Sequence, residues 1–205
     1  MRNKVRYSVH PSVRYGRRIL ENLQVKTGRS LDGWIHLLGA EGPDGETERR
    51  NWLRKEHALG GTTARMIAQR SVGEGLDDSD EAAYLSAAVG YVEAMYNGKA
   101  ALRPIHDALV ELGMSLGDDV RVCPCRTIVP LYRNRVFAEI KPATRTRIDF
   151  GLALEGISRR LPERLVETGG SAKGDRITHR FALTHENEVD GTVKRWLAAA
   201  YDLDQ

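Results

Sequence analysis

Six basic residues crowd one stretch in the second half of this chain: Arg126, Arg133, Arg135, Lys141, Arg145 and Arg147. A guanidinium is planar and offers paired donors that match phosphate oxygens, so this concentration points to an anionic partner, with nucleic acid first. Side chains alternate along a strand, which puts Arg145 and Arg147 on one face and leaves Arg133 and Arg135 at a turn; strand pairing decides whether they form one surface. The competing reading is a solvated strand surface or ion pairing within the chain. Four aromatic residues carry the other chemistry. If a sheet curves beneath its helices, Tyr132, Phe137, Phe150 and Trp196 line a pocket for a small molecule with an arginine at its mouth; if it does not, they are core.

Reactive groups are sparse. Cys123-Pro124-Cys125 can present two thiols on one side of an extended segment, but a four-ligand zinc site needs two more ligands, and His106, His179 and His185 stand at no recognisable spacing. Two partly buried strand cysteines are the plainer reading, and no metal site is expected. Asp119 followed by Glu139-Ile140-Lys141 has the form of a restriction-type nuclease site, two carboxylates for a divalent metal and a lysine beside the attacking water. That short pattern is common, and no catalytic residue is assigned from it. Ser171 lacks the Gly-x-Ser-x-Gly frame of a nucleophile elbow. No phosphate-binding Gly-x-x-x-x-Gly-Lys-Ser/Thr loop and no His-Glu-x-x-His occurs, so no cofactor or nucleotide is expected. Residues 46–71 admit a helix-turn-helix, with Arg65, Gln69 and Arg70 offered to a groove, although the acidic surroundings argue against it.

These groups must be held by a scaffold whose size and charge are fixed by the 205 residues. With 41% hydrophobic and 29% charged residues the composition is that of a folded globular chain. The net charge of +3 conceals segregation: residues 1–30 carry +7, 31–119 carry −8, 120–180 carry +7 and 181–205 carry −3. Two basic blocks around an acidic one call either for an anion or for pairing inside the protein. No apolar run is long enough to span a bilayer, and two closely spaced cysteines make no disulfide framework; both fit a cytoplasmic protein without a membrane partner.

Hydrophobic periodicity predicts an α+β chain: a helical N-terminal domain over 1–72, a linker over 73–78, and a C-terminal domain over 79–205 with a mainly antiparallel four-stranded sheet packed by flanking helices. In the first part, Gly28 reads as a left-handed helix stop, Ser30 as a cap, Gly60-Gly61 as a breaker and Thr62 as the next cap. Asp78 and Glu81 form a candidate capping box for a helix whose buried face is Leu85, Val89, Val92 and Tyr96. Strands are expected at 127–132, 136–140, 148–154 and 177–183. Arg133-Asn134-Arg135 reads as a three-residue hairpin loop with Asn134 left-handed. A closing helix presents Val189, Val193, Trp196, Leu197, Ala200 and Tyr201 on one face.

Two stretches resemble known families. Lys26-Thr27-Gly28-Arg29-Ser30-Leu31, with Trp52-Leu53, Leu59-Gly60-Gly61, Ala64 and Ile67, resembles a bacterial domain of unknown function, number 4287. Ile105, Pro124, Thr127, Tyr132-Arg133, Phe137-Ala138, Ile148 to Gly151, Thr178-His179-Arg180 and Trp196 to Tyr201 resemble the domain of unknown function numbered 5655. The second resemblance implies a nucleic-acid context, because that domain also occurs behind nuclease-like domains in restriction-associated proteins. No activity travels with either.

Overall fold

The computed structural model describes residues 7–205, which form two compact units, Val9–Ala87 and Ala88–Gln205, the latter joined by Tyr7 and Ser8. The first unit is helical: Pro11–Glu21 (α1), Leu23–Thr27 (α2), Leu31–Ala40 (α3), Glu46–Glu56 (α4) and Gly61–Ser71 (α5). Glu81–Tyr96 (α6) runs into the second unit, where Arg103–Met114 (α7) and Gly191–Asp202 (α8) complete the helices described. None is long and apolar enough to cross a membrane.

Local chemistry sets these boundaries. Pro11 opens α1, where its missing N–H is no loss, and the His10 ring accepts from the Ser12 N–H. Gly28 closes α2 at φ 75°, as its lack of a Cβ permits, and the Ser30 hydroxyl accepts from the Gly33 N–H to start α3. Gly60 is the cap of α5 and Gly61 its first residue, so the glycine pair begins that helix, and Thr62 lies inside it. The α6 cap is Asp80, which accepts from the Ala83 N–H at 2.8 Å. Asp78 instead ends a short 3-10 turn, Leu76–Asp78, two residues before the cap position, and pairs with Arg65. The buried face of α6 is Tyr84, Ala88, Val92, Met95 and Tyr96; Leu85 and Val89 face solvent, one residue out of the expected register. A core of Leu23, Trp34, Leu37, Leu38, Leu53, Ala64, Ile67 and Ala68 holds the first unit together.

In the second unit the sheet has six strands, two more than expected: Arg121–Val122 (β1), Val129–Tyr132 (β2), Val136–Lys141 (β3), Ile148–Leu152 (β4), Leu165–Glu167 (β5) and His179–Leu183 (β6). Their order is β1-β2-β3-β4-β6-β5, and every pairing is antiparallel. The two unforeseen strands are the edges, only two and three residues long, too short to show a period-two pattern. Register places Ala138, Ile140, Ile148, Phe150, Leu152, Phe181 and Leu183 on one face, all buried, in a single core with Ile105 and Leu109 of α7 and Val193, Trp196 and Leu197 of α8. Burying a large apolar side chain contributes about 1.5–3 kcal/mol, so this layer dominates the stability of the unit. A register shift between Leu131 and Tyr132 breaks the alternation of β3, and the consecutive residues Phe137 and Ala138 are both buried. The opposite face carries Glu139, Lys141, Asp149, Gly151 and Arg180. Gly151 is required there, since a Cβ would collide with Ile177.

Candidate functional site

In an antiparallel meander successive turns alternate between the two ends of the sheet. The β1–β2 connection and the β3–β4 turn therefore share one end, and the β2–β3 turn lies at the other. Cys123 N–H donates to the Pro130 carbonyl at 3.1 Å and Cys125 N–H to the Ile128 carbonyl at 2.8 Å, extending the first hairpin so that Arg126 and Thr127 form its tip. Lys141 ends β3, and the following turn carries Arg145 and Arg147, tied by the Thr144 N–H to the Arg147 carbonyl at 3.2 Å. Four of the six basic residues singled out from sequence thus gather at one end. Lys141 and Arg145 are exposed; Arg126 is exposed with its guanidinium 5.5 Å from the Tyr91 ring centre.

Two further cations join them. Lys99 Nζ donates to the Pro142 carbonyl at 2.8 Å. Arg180 reaches Asp149 at 3.1 Å, and Arg147 reaches the same carboxylate at 2.8 Å, so one carboxylate serves two guanidinium groups. Past β6 the chain turns acidic; Glu188 accepts from the Thr184 and His185 N–H groups and Asp190 pairs with Arg164, while Glu186 is exposed. Lys99 was missed from sequence because it lies in the acidic block; nothing short of the fold brings it to residue 142.

At the other end the arginines are consumed. Arg133 pairs with Asp119 at 2.8 Å, donates to the Tyr201 carbonyl at 3.2 Å and stacks 4.2 Å from the Tyr201 ring centre. The Tyr201 hydroxyl donates to Asp119 at 2.7 Å; that bond, with the Arg133 guanidinium, holds the Asp119 carboxyl below its usual range. Asp204 is 1% exposed and accepts from the Arg135 N–H at 2.8 Å and from Arg176 at 2.9 Å, with the Arg135 guanidinium 3.7 Å away. Asn134 donates to the Asp204 carbonyl at 3.0 Å, and its φ is not positive, so this anchoring and not a left-handed turn shapes the loop. Arg133 and Arg135 are separated from Lys141 by the six residues of β3, on the order of 20 Å.

The remaining candidates scatter. Phe137, Phe150 and Trp196 belong to the core, with Phe137 edge-on to Tyr201 at 5.6 Å. Tyr132 lies apart from them, its ring centre 5.9 Å from the Arg121 guanidinium, and burial pushes its hydroxyl up to about 12. Burial likewise pushes the thiols of Cys123 and Cys125 up to about 12 and about 11, so both are protonated at neutral pH, in the manner of packed cysteines. Glu139 is half-buried, its pKa raised by that burial and then by Asp175, with Lys141 opposing. Asp119 is held by Arg133 and Tyr201 at the far end, so it does not join Glu139 and Lys141. Among the described residues no group of three or more His, Cys, Asp or Glu is disposed to hold a metal. In the first unit Arg65 donates to Gln69 at 2.6 Å and pairs with Asp78, while Arg70 donates to the Ser79 hydroxyl at 2.6 Å; these side chains are tied to their own unit.

No curated protein and no solved structure matches the chain. Two family models do, each described as a domain of unknown function: DUF4287 over residues 16–71 and DUF5655 over residues 92–204. The second spans more than half of the chain and takes in the whole sheet, α7 and α8, and so this protein belongs to the DUF5655 family, with a DUF4287 domain ahead of it.

Proposed function

We propose that this is a binding protein whose C-terminal unit holds nucleic acid by its phosphates, at the sheet end formed by the β1–β2 tip and the β3–β4 turn. The observation that carries the reading is the cluster of cations there: Lys141 and Arg145 are exposed, Arg147 and Arg180 share the single carboxylate of Asp149, and Lys99 is held by the Pro142 carbonyl. Clustered cations on turns, with no helix shaped for a major groove beside them, favour backbone contacts over base reading, so binding is expected to be weakly selective for sequence. Each phosphate neutralised releases counterions and steepens the salt dependence.

The test is fluorescence anisotropy with duplex and single-stranded DNA at several salt concentrations. The variant Lys141→Gln, Arg145→Gln, Arg147→Gln is expected to lower the log–log salt slope by about 0.9 per lost duplex contact and about 0.7 per single-strand contact. Failure of the wild type to bind even at low salt, or an unchanged slope in the triple variant, would remove the reading.

A further inference from the structure

A cleft of about 400 Å³ opens in the second unit at the end of the sheet away from the basic turns, between residues 154–161 after β4 and the start of β6. Its size is in the range of small-molecule sites. None of Tyr132, Phe137, Phe150 or Trp196 lines it. Leu154, Ile157 and Leu161 give it an apolar floor. The polar wall is built on β5 and β6, where Glu167 and His179 stand directly opposite each other in the ladder. Opposite residues on paired strands project from the same face.

His179 is the organising group. It is 8% exposed, and its Nδ1 lies 2.8 Å from the Thr178 hydroxyl, which accepts from the Leu154 N–H at 3.1 Å. In the tautomer whose Nδ1 accepts the Thr178 hydroxyl proton, the ring carries its own proton on Nε2. Nε2 has no protein partner among the described residues and is not sealed from solvent, so this donor opens on the cleft. Around it stand a guanidinium, Arg159, and two carboxylates, Glu167 and Glu155, the latter accepting from the Ser171 hydroxyl at 3.0 Å.

A simple anion entering here meets two carboxylates, and a simple cation meets a guanidinium; a molecule bearing both charges on an apolar body satisfies every wall. We propose that the cleft binds a small zwitterion with an apolar side chain, a free amino acid in chemical class. Its carboxylate faces His179 Nε2–H and Arg159, its ammonium faces Glu155 and Glu167, and its side chain lies on Leu154, Ile157 and Leu161. The proposal stands independently of the nucleic-acid surface at the other end of the sheet.

Isothermal titration of the full chain with L-phenylalanine and L-leucine tests it, with N-acetyl-L-phenylalanine and L-phenylalaninamide as forms lacking one charge each. Saturable binding of the free amino acids is expected, weakened about 10–100-fold in either blocked form, because each loses a charge-assisted contact. Arg159 is exposed, so Arg159→Ala is expected to keep the melting temperature while narrowing the gap between L-phenylalanine and its amide. Glu167→Gln, also at an exposed residue, is expected to narrow the gap to the N-acetyl form. The proposal is overturned if no free amino acid binds saturably at millimolar concentration, or if blocked and free forms bind equally.

Discussion

The two ends of the sheet are built from the same residue type and do opposite things with it. At the β2–β3 turn, Arg133 and Arg135 are matched by Asp119 and Asp204, Arg176 from before β6 joins Asp204, and the segment after α8 is fastened to the loop. At the β3–β4 turn, Arg145 and Lys141 stand in solvent and Asp149 is shared. A count of arginines along the chain cannot separate these cases, since the carboxylates that neutralise the first end come from the segment just after α8 and from the segment before β1. The lesson is that charge in a basic segment becomes surface potential only where the fold fails to bring acids to it.

The sharpest way to break the comparison is to remove the carboxylate of Asp204. Its side chain is 1% exposed, and Asp204→Ala strands the Arg135 N–H and two guanidinium groups. The expected loss is about 1–3 kcal/mol by denaturant titration, mainly from the unsatisfied Arg135 N–H, since the two guanidinium groups left behind reach solvent. A loss below about 1 kcal/mol would mean that this end is as loosely held as the other.

Acid probes the ground beneath the basic end, where Tyr96, three residues before Lys99, meets His106 Nδ1 at 3.0 Å. Burial lowers the His106 pKa to about 4. An unfolded histidine titrates near 6.5, so between these values the unfolded chain binds more protons, and stability is full above 6.5 and falls as pH drops toward 4. The loss attributable to this residue is about 3 kcal/mol at the low end of the window. His106→Gln should flatten that part of the stability–pH curve, and a curve of unchanged steepness would show that another group is responsible.

The smallest effects separate the ends most directly. Arg133→Gln is expected to lower the melting temperature slightly, from loss of a solvent-screened ion pair and of the stacking on Tyr201, with little change in nucleic-acid affinity. Arg145→Gln should leave stability within about 0.5 kcal/mol of wild type and weaken binding at low salt. The reverse pattern, with Arg133 governing binding and Arg145 governing stability, would exchange the roles of the two ends.

Much of the scaffold could be read from the residues. Ser30 and Gly28 act as their types demand, and Val193, Trp196 and Leu197 pack as their spacing implies. What failed depended on boundaries and partners that the fold decides: Asp78 ends a 3-10 turn and pairs with Arg65 while Asp80 caps α6, and Asn134 found the Asp204 carbonyl instead of a left-handed turn. The grouping of Arg126 with Lys141, Arg145 and Arg147, apart from Arg133 and Arg135, was within reach, because it follows from counting turns in a meander. Lys99 and the His179 cleft were not, since each is assembled by a long-range contact that leaves no periodic trace.

The brevity of the edge strands has a consequence for how the molecule behaves in a crowd. An open sheet edge offers unpaired N–H and carbonyl groups as a template for another chain. Here β1 spans two residues, with the Ser8 N–H already donating to the Val122 carbonyl at 2.9 Å, and β5 spans three, with Glu167 exposed at its end. β5 is too short for the run of about six extended residues that favours cross-β stacking, and the β1 side, prolonged to Cys125, is interrupted by Pro124. Strands β3 and β4, each with one buried apolar face, lie inside the order, flanked on both sides. Fibril formation therefore has to wait for the sheet itself to open, and the rate of global unfolding, not encounter between folded copies, sets how fast this protein ages in concentrated solution.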